Sequence, residues 1–268
     1  MLMLFTPIQS AWVSSGRSWG RRANVPQRLG PPLKLLASAM LMRSPLARER
    51  RSPLGFIQPC LLTPATTVPT GPDWLHELKH DGMRVVARKD GDRVALWSRN
   101  GRPWTGELVA IADALRTLPF EHIVFGGEAV AHCDQGLPNF HRLLSDGKRT
   151  ACLYAFDLLF LEGADLRPLP LLERKARLLA LLLDAPAALR YSDYMDGADG
   201  SALLKHACRM GLEGIVSKRR DRAYRSGRCP TWLKIKNATY RRPDAGHHRR
   251  ARQQLKRPFS KTTRRRER

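Results

Sequence analysis

The residues best placed for chemistry lie in Glu77-Leu78-Lys79-His80-Asp81-Gly82-Met83-Arg84. Strand alternation puts Leu75, Glu77 and Lys79 on one face and Trp74, His76 and Leu78 on the other. A strand that ends in lysine and meets an Asp-Gly turn projects one ammonium at a cleft edge. Taken alone, the segment reads as a surface hairpin, since Asp-Gly is a common hairpin turn. A second candidate is Trp232-Leu233-Lys234-Ile235-Lys236. There Leu233 and Ile235 face a core, and Lys234 and Lys236 share the opposite face, where phosphates could meet them. Read by itself, this is equally an edge strand whose lysines discourage sheet pairing. Glu128 sits in an apolar strand, where an acid is costly unless it is paired or metal-bound. Phe156 lies in another apolar strand, and core packing is the plain reading for it.

Elements that would position these groups are legible from Trp74 onward. Strands are expected at Trp74–Lys79, Arg84–Lys89, Val94–Ser98, Ile123–Ala131, Ala151–Leu161, Gly214–Lys218 and Thr231–Lys236. Helical spacing marks Glu107–Leu118, Pro138–Leu144, Leu171–Leu183 and Asp199–Met210. In the third helix Glu173 and Lys175 are expected on the outer side. Asp199 or Ser201 would cap the fourth, and Gly211 would stop it. Strands outnumber helices and are often sequential, which favours an α+β fold with two antiparallel sheets flanked by helices over a doubly wound parallel sheet. Glu213 and Lys218 are an odd number of residues apart, so both reach one cleft only if Glu213 stands in the turn that enters the strand or the strand twists strongly.

Charge frames this body. The 268 residues carry 47 Lys+Arg against 24 Asp+Glu, a formal net charge of +23. Residues 1–70 hold nine Lys/Arg and one acid, Glu49, and residues 241–268 hold twelve and two. The middle, 71–240, is nearly balanced, with 26 and 21. A folded body with two basic arms is expected, divided as 1–55, 56–240 and 241–268, with the arms irregular apart from a short helix around Leu33–Arg43. Such arms serve either as solubilising tails or, more often, as contacts to a polyanion. No run of about 18 apolar residues exists, so no membrane span is expected. Five cysteines with no C-x-x-C pair argue against a zinc site or disulfide scaffold and fit a reducing compartment. Met1–Phe5 is too short for a signal-peptide core; the acid-free, Arg- and Ser-rich residues 1–48 leave organellar import as an alternative to a cytoplasmic location. His80, His122, His132 and His141 show no metal spacing and read as surface or packing residues.

The Lys79 segment has the K-x-D-G-x-R form of the covalent nucleotidyltransferases. In order along the chain follow Ser98-Arg99-Asn100-Gly101, Gly126-Gly127-Glu128-Ala129-Val130, Tyr154-Ala155-Phe156-Asp157-Leu158-Leu159, Glu213-Gly214-Ile215-Val216-Ser217-Lys218 and Trp232–Lys236. Together these resemble the successive motifs of ATP-dependent DNA ligases. The closer likeness is to bacterial ligases associated with end joining, which Tyr224-Arg225-Ser226-Gly227-Arg228 also resembles. The resemblance spans about Phe56–Asn237 and implies the nucleotidyltransferase adenylation fold.

That resemblance implies a reaction and its residues. Lys79 would attack the α-phosphorus of ATP to form a lysyl-AMP, the AMP would pass to the 5′-phosphate of a nick, and the 3′-hydroxyl would seal the strand. A free lysine of pKa about 10.4 is protonated, and neighbouring cations such as Lys234, Lys236, Arg84 and a divalent metal would disfavour that form. Glu128 and Glu213 are the implied ligands for Mg2+ or Mn2+. Glu77, Arg84, Arg99, Glu128, Phe156 and Lys218 are the implied nucleotide contacts: Glu77 at the adenine or ribose, Phe156 stacked on the purine, and Arg99 on ribose or the nick's phosphate. Nicked or broken duplex DNA is the implied partner, in a cytoplasmic, nucleoid setting, for repair and recombination. Such ligases have an oligonucleotide-binding barrel after this domain. The 32 residues after Lys236 are too few for one, so three outcomes are expected as alternatives: a minimal ligase whose basic arms hold DNA electrostatically, a partner that supplies the clamp, or a relative that binds ATP and DNA without efficient sealing. An RNA ligase or capping-type transfer is a further alternative. Many relatives carry Asp where Gly127 stands, and an aromatic where Met83 stands.

Overall fold

The computed structural model describes residues 48–49, 55–197 and 199–241. The helix expected around Leu33–Arg43, most of the N-terminal arm and the basic segment after residue 241 lie outside the described residues. The strands are β1 (Arg48–Glu49), β2 (Cys60–Pro64), β3 (Trp74–Leu78), β4 (Met83–Asp90), β5 (Arg93–Ser98), β6 (His122–Val130), β7 (Cys152–Leu161), β8 (Ala164–Asp165), β9 (Leu189–Tyr191), β10 (Tyr194–Asp196), β11 (Gly214–Arg219) and β12 (Gly227–Lys236). The helices are α1 (Val109–Arg116), α2 (Phe140–Leu144), α3 (Leu171–Leu182) and α4 (Gly200–Arg209).

Two sheets result. One runs β1-β8-β7-β6-β4-β5, with β9 also on β7; the other runs β10-β3-β11-β12-β2. Pairing is antiparallel throughout except β2 with β12 and β7 with β9, which are parallel. The sequence pattern does not predict these two exceptions. β2 falls among Pro59, Pro64 and Pro69, near the start of the expected folded body and with no strand pattern of its own, and its pairing with β12 makes it a strand. β12 also begins four residues before the alternating segment, because Gly227–Cys229 pairs with Cys60–Leu62 ahead of a bulge.

Alternation along the central strands, broken by register shifts between β6 and β7, builds the layers. Leu153, Ala155, Leu158 and Leu161 of β7 face a cluster with Ile111 and Leu115 of α1 and Leu178 of α3. Phe156, Leu159 and Phe160 face the other way, where Phe156 meets Leu75, Leu171 and Trp232 between the sheets, and Leu159 and Phe160 meet Ile57, Val86 and Val124. Outside the second sheet, Ile215 and Ile235 pack on Ala207 of α4. Among the described residues no helix is long and apolar enough to cross a membrane.

One expectation is reversed. Lys175 is not on the outer side of α3; its side chain is fully buried, as is that of Arg174, while Glu173 is exposed. Leu171, Arg174, Lys175, Leu178, Leu181 and Leu182 form a single stripe at helical spacing, and that stripe faces inward. The two cations are tolerated there because each meets a buried carboxylate.

Candidate active site

Lys79 follows β3 directly. Its amide donates to the Gly214 carbonyl (2.9 Å), so the end of β3 is pinned to the start of β11. The next residues explain the turn. The Asp81 carboxylate accepts from the Tyr240 hydroxyl (2.6 Å), and a Cβ on Gly82 would stand 2.2 Å from the Ala129 carbonyl, so only glycine fits. Gly214 is likewise required: its φ is +136°, and a Cβ there would lie 2.1 Å from the Ile235 carbonyl.

Around the Lys79 amine the charges alternate. Its Nζ donates to Glu213 Oε2 at 2.5 Å. Glu213 stands in the turn before β11, which resolves the parity between it and Lys218. Lys236 Nζ lies 3.5 Å from Glu213 Oε1. On the other flank Arg84 Nε donates to Glu128 Oε2 (3.2 Å), the two residues being paired across β4 and β6. Burial pushes the Glu128 carboxyl up; Arg84 and Lys79 oppose the shift, and Glu213 adds to it.

A cavity of about 220 Å³ opens between these groups, with Glu77, Lys79, Arg84, Glu128, Phe156, Lys218 and Lys234 on its walls and Arg99 at its exposed rim. Lys236 projects beside it, over a shallow depression that Lys234 shares with Pro64, Ala65 and Thr66. The sequence-derived candidates are thus gathered into one cleft and its margin. The Phe156 ring belongs to the inter-sheet core and to the cleft wall at once. Arg84 Cζ sits 4.7 Å from its centroid and Lys218 Nζ 4.4 Å, with Lys218 also 4.3 Å from the Trp232 ring.

Glu77 is the most heavily partnered acid in the cleft. Oε1 accepts from Lys175 Nζ (2.8 Å); Oε2 accepts from Lys218 Nζ (2.7 Å) and Ser192 Oγ (3.1 Å). Burial alone would push this carboxyl up, but the two ammoniums outweigh it and hold it below the usual range. Burial pushes Lys218 down to about 8, against the pull of Glu77. His80 stacks on Tyr154 with centroids 4.0 Å apart, and burial pushes its imidazole down to about 4, so it is neutral at pH 7.

Lys175, Ser192, Trp232 and His80 were not read as site residues from sequence. His80 and Trp232 lie within the quoted motif segments, and Lys175 has a signal in its place on the leucine stripe of α3. Ser192 lies between two short strands with no pattern of their own.

The donor set bears on a metal. Among the described residues no cluster of three or more His, Cys, Asp or Glu side chains could hold an ion. Glu128 and Glu213 are two carboxylates flanking one amine. They do not cage a metal, but they suit Mg2+, which takes one or two carboxylates and completes its shell with phosphate oxygens and water.

Gly127 answers a question the sequence raises. A Cβ there would lie 2.7 Å from Leu153 Cδ1 and 2.9 Å from the Tyr154 carbonyl. Gly127→Asp is therefore expected to destabilise the fold by about 1–3 kcal/mol, measurable by urea unfolding; unchanged stability would mean that β6 carries the side chain elsewhere.

Residues 62–236 match the family model described as the ATP dependent DNA ligase domain. The multifunctional non-homologous end joining protein LigD of Pseudomonas aeruginosa is 39% identical over 186 residues, covering 68% of this chain and 22% of that protein. A probable DNA ligase of an Anaeromyxobacter species is 35% identical over 213 residues, covering 72% of this chain and 40% of that protein. The chain thus spans well under half the length of these curated relatives. The solved structure of mycobacterial DNA ligase D complexed with ATP and MES is 32% identical, covers 67% of this chain and 60% of that one, and superposes with a TM-score of 0.59. With its motifs gathered in one cleft and its central 62–236 region matched by the family model, this chain belongs to the ATP-dependent DNA ligase domain family.

Proposed function

We propose that this chain adenylates itself on Lys79 with ATP and passes the AMP to nicked or broken duplex DNA, the reaction of a DNA ligase (ATP). The carrying observation is the placement of the Lys79 amine, 2.5 Å from Glu213 in a cleft that Lys234 and Arg84 also line. The nitrogen lone pair attacks the α-phosphorus, and the bond from that phosphorus to the bridging oxygen breaks to release pyrophosphate. Glu213 is within reach of the proton the nitrogen gives up. Lys234 and Arg84 face the charge that develops on the phosphoryl oxygens. A 5′-phosphate oxygen of DNA then displaces the lysine from the adenylate, and the nitrogen regains its proton. Attack by the 3′-hydroxyl on that 5′-phosphate expels AMP and closes the strand. Mg2+, held by Glu128 and Glu213 with the nucleotide's phosphates, would neutralise phosphate charge.

Glu77 in β3 and Lys79 just past its end are two residues apart, about 6–7 Å along the chain. That is a suitable span from a reacting phosphorus to a base, so the Glu77–Phe156 end is the nucleoside end. The relatives named for end joining support broken DNA as the substrate, and the basic segments flanking residues 56–240 are suited to phosphate contact. A separate clamp-like partner fits a substrate that has to be held from both sides.

The test is incubation with α-labelled ATP and Mg2+, followed by a nicked duplex. Retained label and a sealed strand are expected. No label contradicts adenylation; label without sealing restricts the chain to nucleotide transfer onto itself.

The pH profile adds a second check. Below about pH 8 Lys218 is an ammonium facing the cleft, and above it the charge is lost. kcat/KM for adenylation should therefore fall as pH rises through about 8, since this ratio reports the free enzyme. Arginine stays charged, so Lys218→Arg should lack that alkaline limb. A limb that persists unchanged in Lys218→Arg belongs to another group.

A further inference from the structure

We propose that Lys175 is a positioning residue for nucleotide selection: from behind the cleft it holds Glu77 as an oriented, acceptor-only carboxylate at the nucleoside end, so that a purine offering an amine there is favoured over one offering a carbonyl. The inference rests on the adenylation reading above and goes beyond it, since Lys175 touches neither the cavity nor any reacting atom.

Lys175 is fully buried on α3, and the cavity's wall does not include it. Its Nζ donates to Glu77 Oε1 (2.8 Å) and to the Ser192 carbonyl (2.9 Å). The rings of Tyr191 and Tyr194 lie 4.5 and 5.3 Å from that nitrogen and close its surroundings to water. The second carboxylate oxygen is fixed by Lys218 and the Ser192 hydroxyl, so neither oxygen of Glu77 is left to rotate. An ionised carboxylate has about four lone-pair sites and no donor. Three sites are taken, which leaves acceptor capacity toward the cavity that Glu77 lines.

Lys218 is a weak substitute as sole counter-ion. It is buried too, and its ammonium is already pushed down toward neutrality. Without Lys175 the buried carboxyl loses half of its compensating charge and tends to take up a proton. A protonated Glu77 can donate as well as accept, and the distinction between an amine and a carbonyl fades. An apolar pair of similar volume could replace Lys175 and Glu77 together, whereas removing Lys175 alone leaves Glu77 with Lys218 as its one counter-ion and costs stability as well.

Self-labelling of the full chain with α-labelled ATP and with α-labelled GTP tests this, on wild type and on Lys175→Met. The wild type should prefer ATP. Because a site built to pair with one polar group rejects its absence strongly, Lys175→Met should narrow the ATP-to-GTP ratio of kcat/KM by about tenfold or more. The loss should appear as a higher KM for ATP with kcat changed far less, since Lys79 and its neighbours are untouched. A folded Lys175→Met protein whose ATP KM and nucleotide ratio both match wild type overturns the inference. If that variant does not fold, Lys175→Gln, which keeps a donor and removes the charge, should show the same narrowing, and an unchanged ratio there overturns it equally. Wild type that takes no label from ATP overturns the adenylation reading itself, a separate result.

Discussion

Lys79→Arg is expected to lose adenylation while keeping its fold. Arginine retains the positive charge and can still pair with Glu213, so the contact that joins the end of β3 to the turn before β11 survives. The main-chain bond from residue 79 to Gly214 does not depend on the side chain. What disappears is an amine able to become neutral, since a guanidinium does not deprotonate in a protein. Loss of the attacking atom should lower labelling from α-labelled ATP by roughly three orders of magnitude or more. Thermal unfolding of the variant should match wild type closely, which separates a missing nucleophile from a broken ion pair. Labelling of Lys79→Arg at the wild-type rate would assign the nucleophile elsewhere.

Arg174→Met is expected to cost about 3–5 kcal/mol of stability, the usual penalty for leaving one member of a buried ion pair alone. Arg174 and Asp157 are both fully buried and meet through two bonds, 2.6 and 2.9 Å. The same guanidinium donates to the carbonyls of Leu169 and Arg222, so it also ties α3 to the segment that leads into β12. Asp157 is adjacent in sequence to Phe156, and its displacement would disturb the cleft wall. Urea unfolding measures the loss. The double variant Asp157→Leu/Arg174→Met should recover part of it, because the stranded carboxylate is then gone and the two changes are not additive. A single variant within about 1 kcal/mol of wild type would show that Asp157 finds another partner or that water reaches it.

The candidate site was legible where chemistry and local geometry coincide. Lys79, Glu77, Lys234 and Lys236 were placed by period-2 alternation, because a strand face is fixed by two or three residues. Leu233 and Ile235 do pack against neighbouring apolar residues while the lysines face the cleft region. Glu213 escaped that rule only because it stands in a turn, which alternation cannot describe. Residue type points Lys175 outward, whereas its spacing from Leu171 and Leu178 puts it on the buried stripe. The spacing was the better guide, and the carboxylate that makes it tolerable is 98 residues away in sequence. β2 and the parallel pairing of β9 were illegible for a related reason. Both are short segments that become strands through long-range pairing with β12 and β7, and such pairing leaves no local period.

The most direct test is to map the adenylate. Wild-type chain incubated with ATP and Mg2+, digested under conditions that spare a phosphoramidate and read by peptide mass spectrometry, should carry AMP on the peptide that contains residue 79, bonded through its side-chain nitrogen. AMP on any other residue, or nucleotide that binds without ever becoming covalent, would contradict the account.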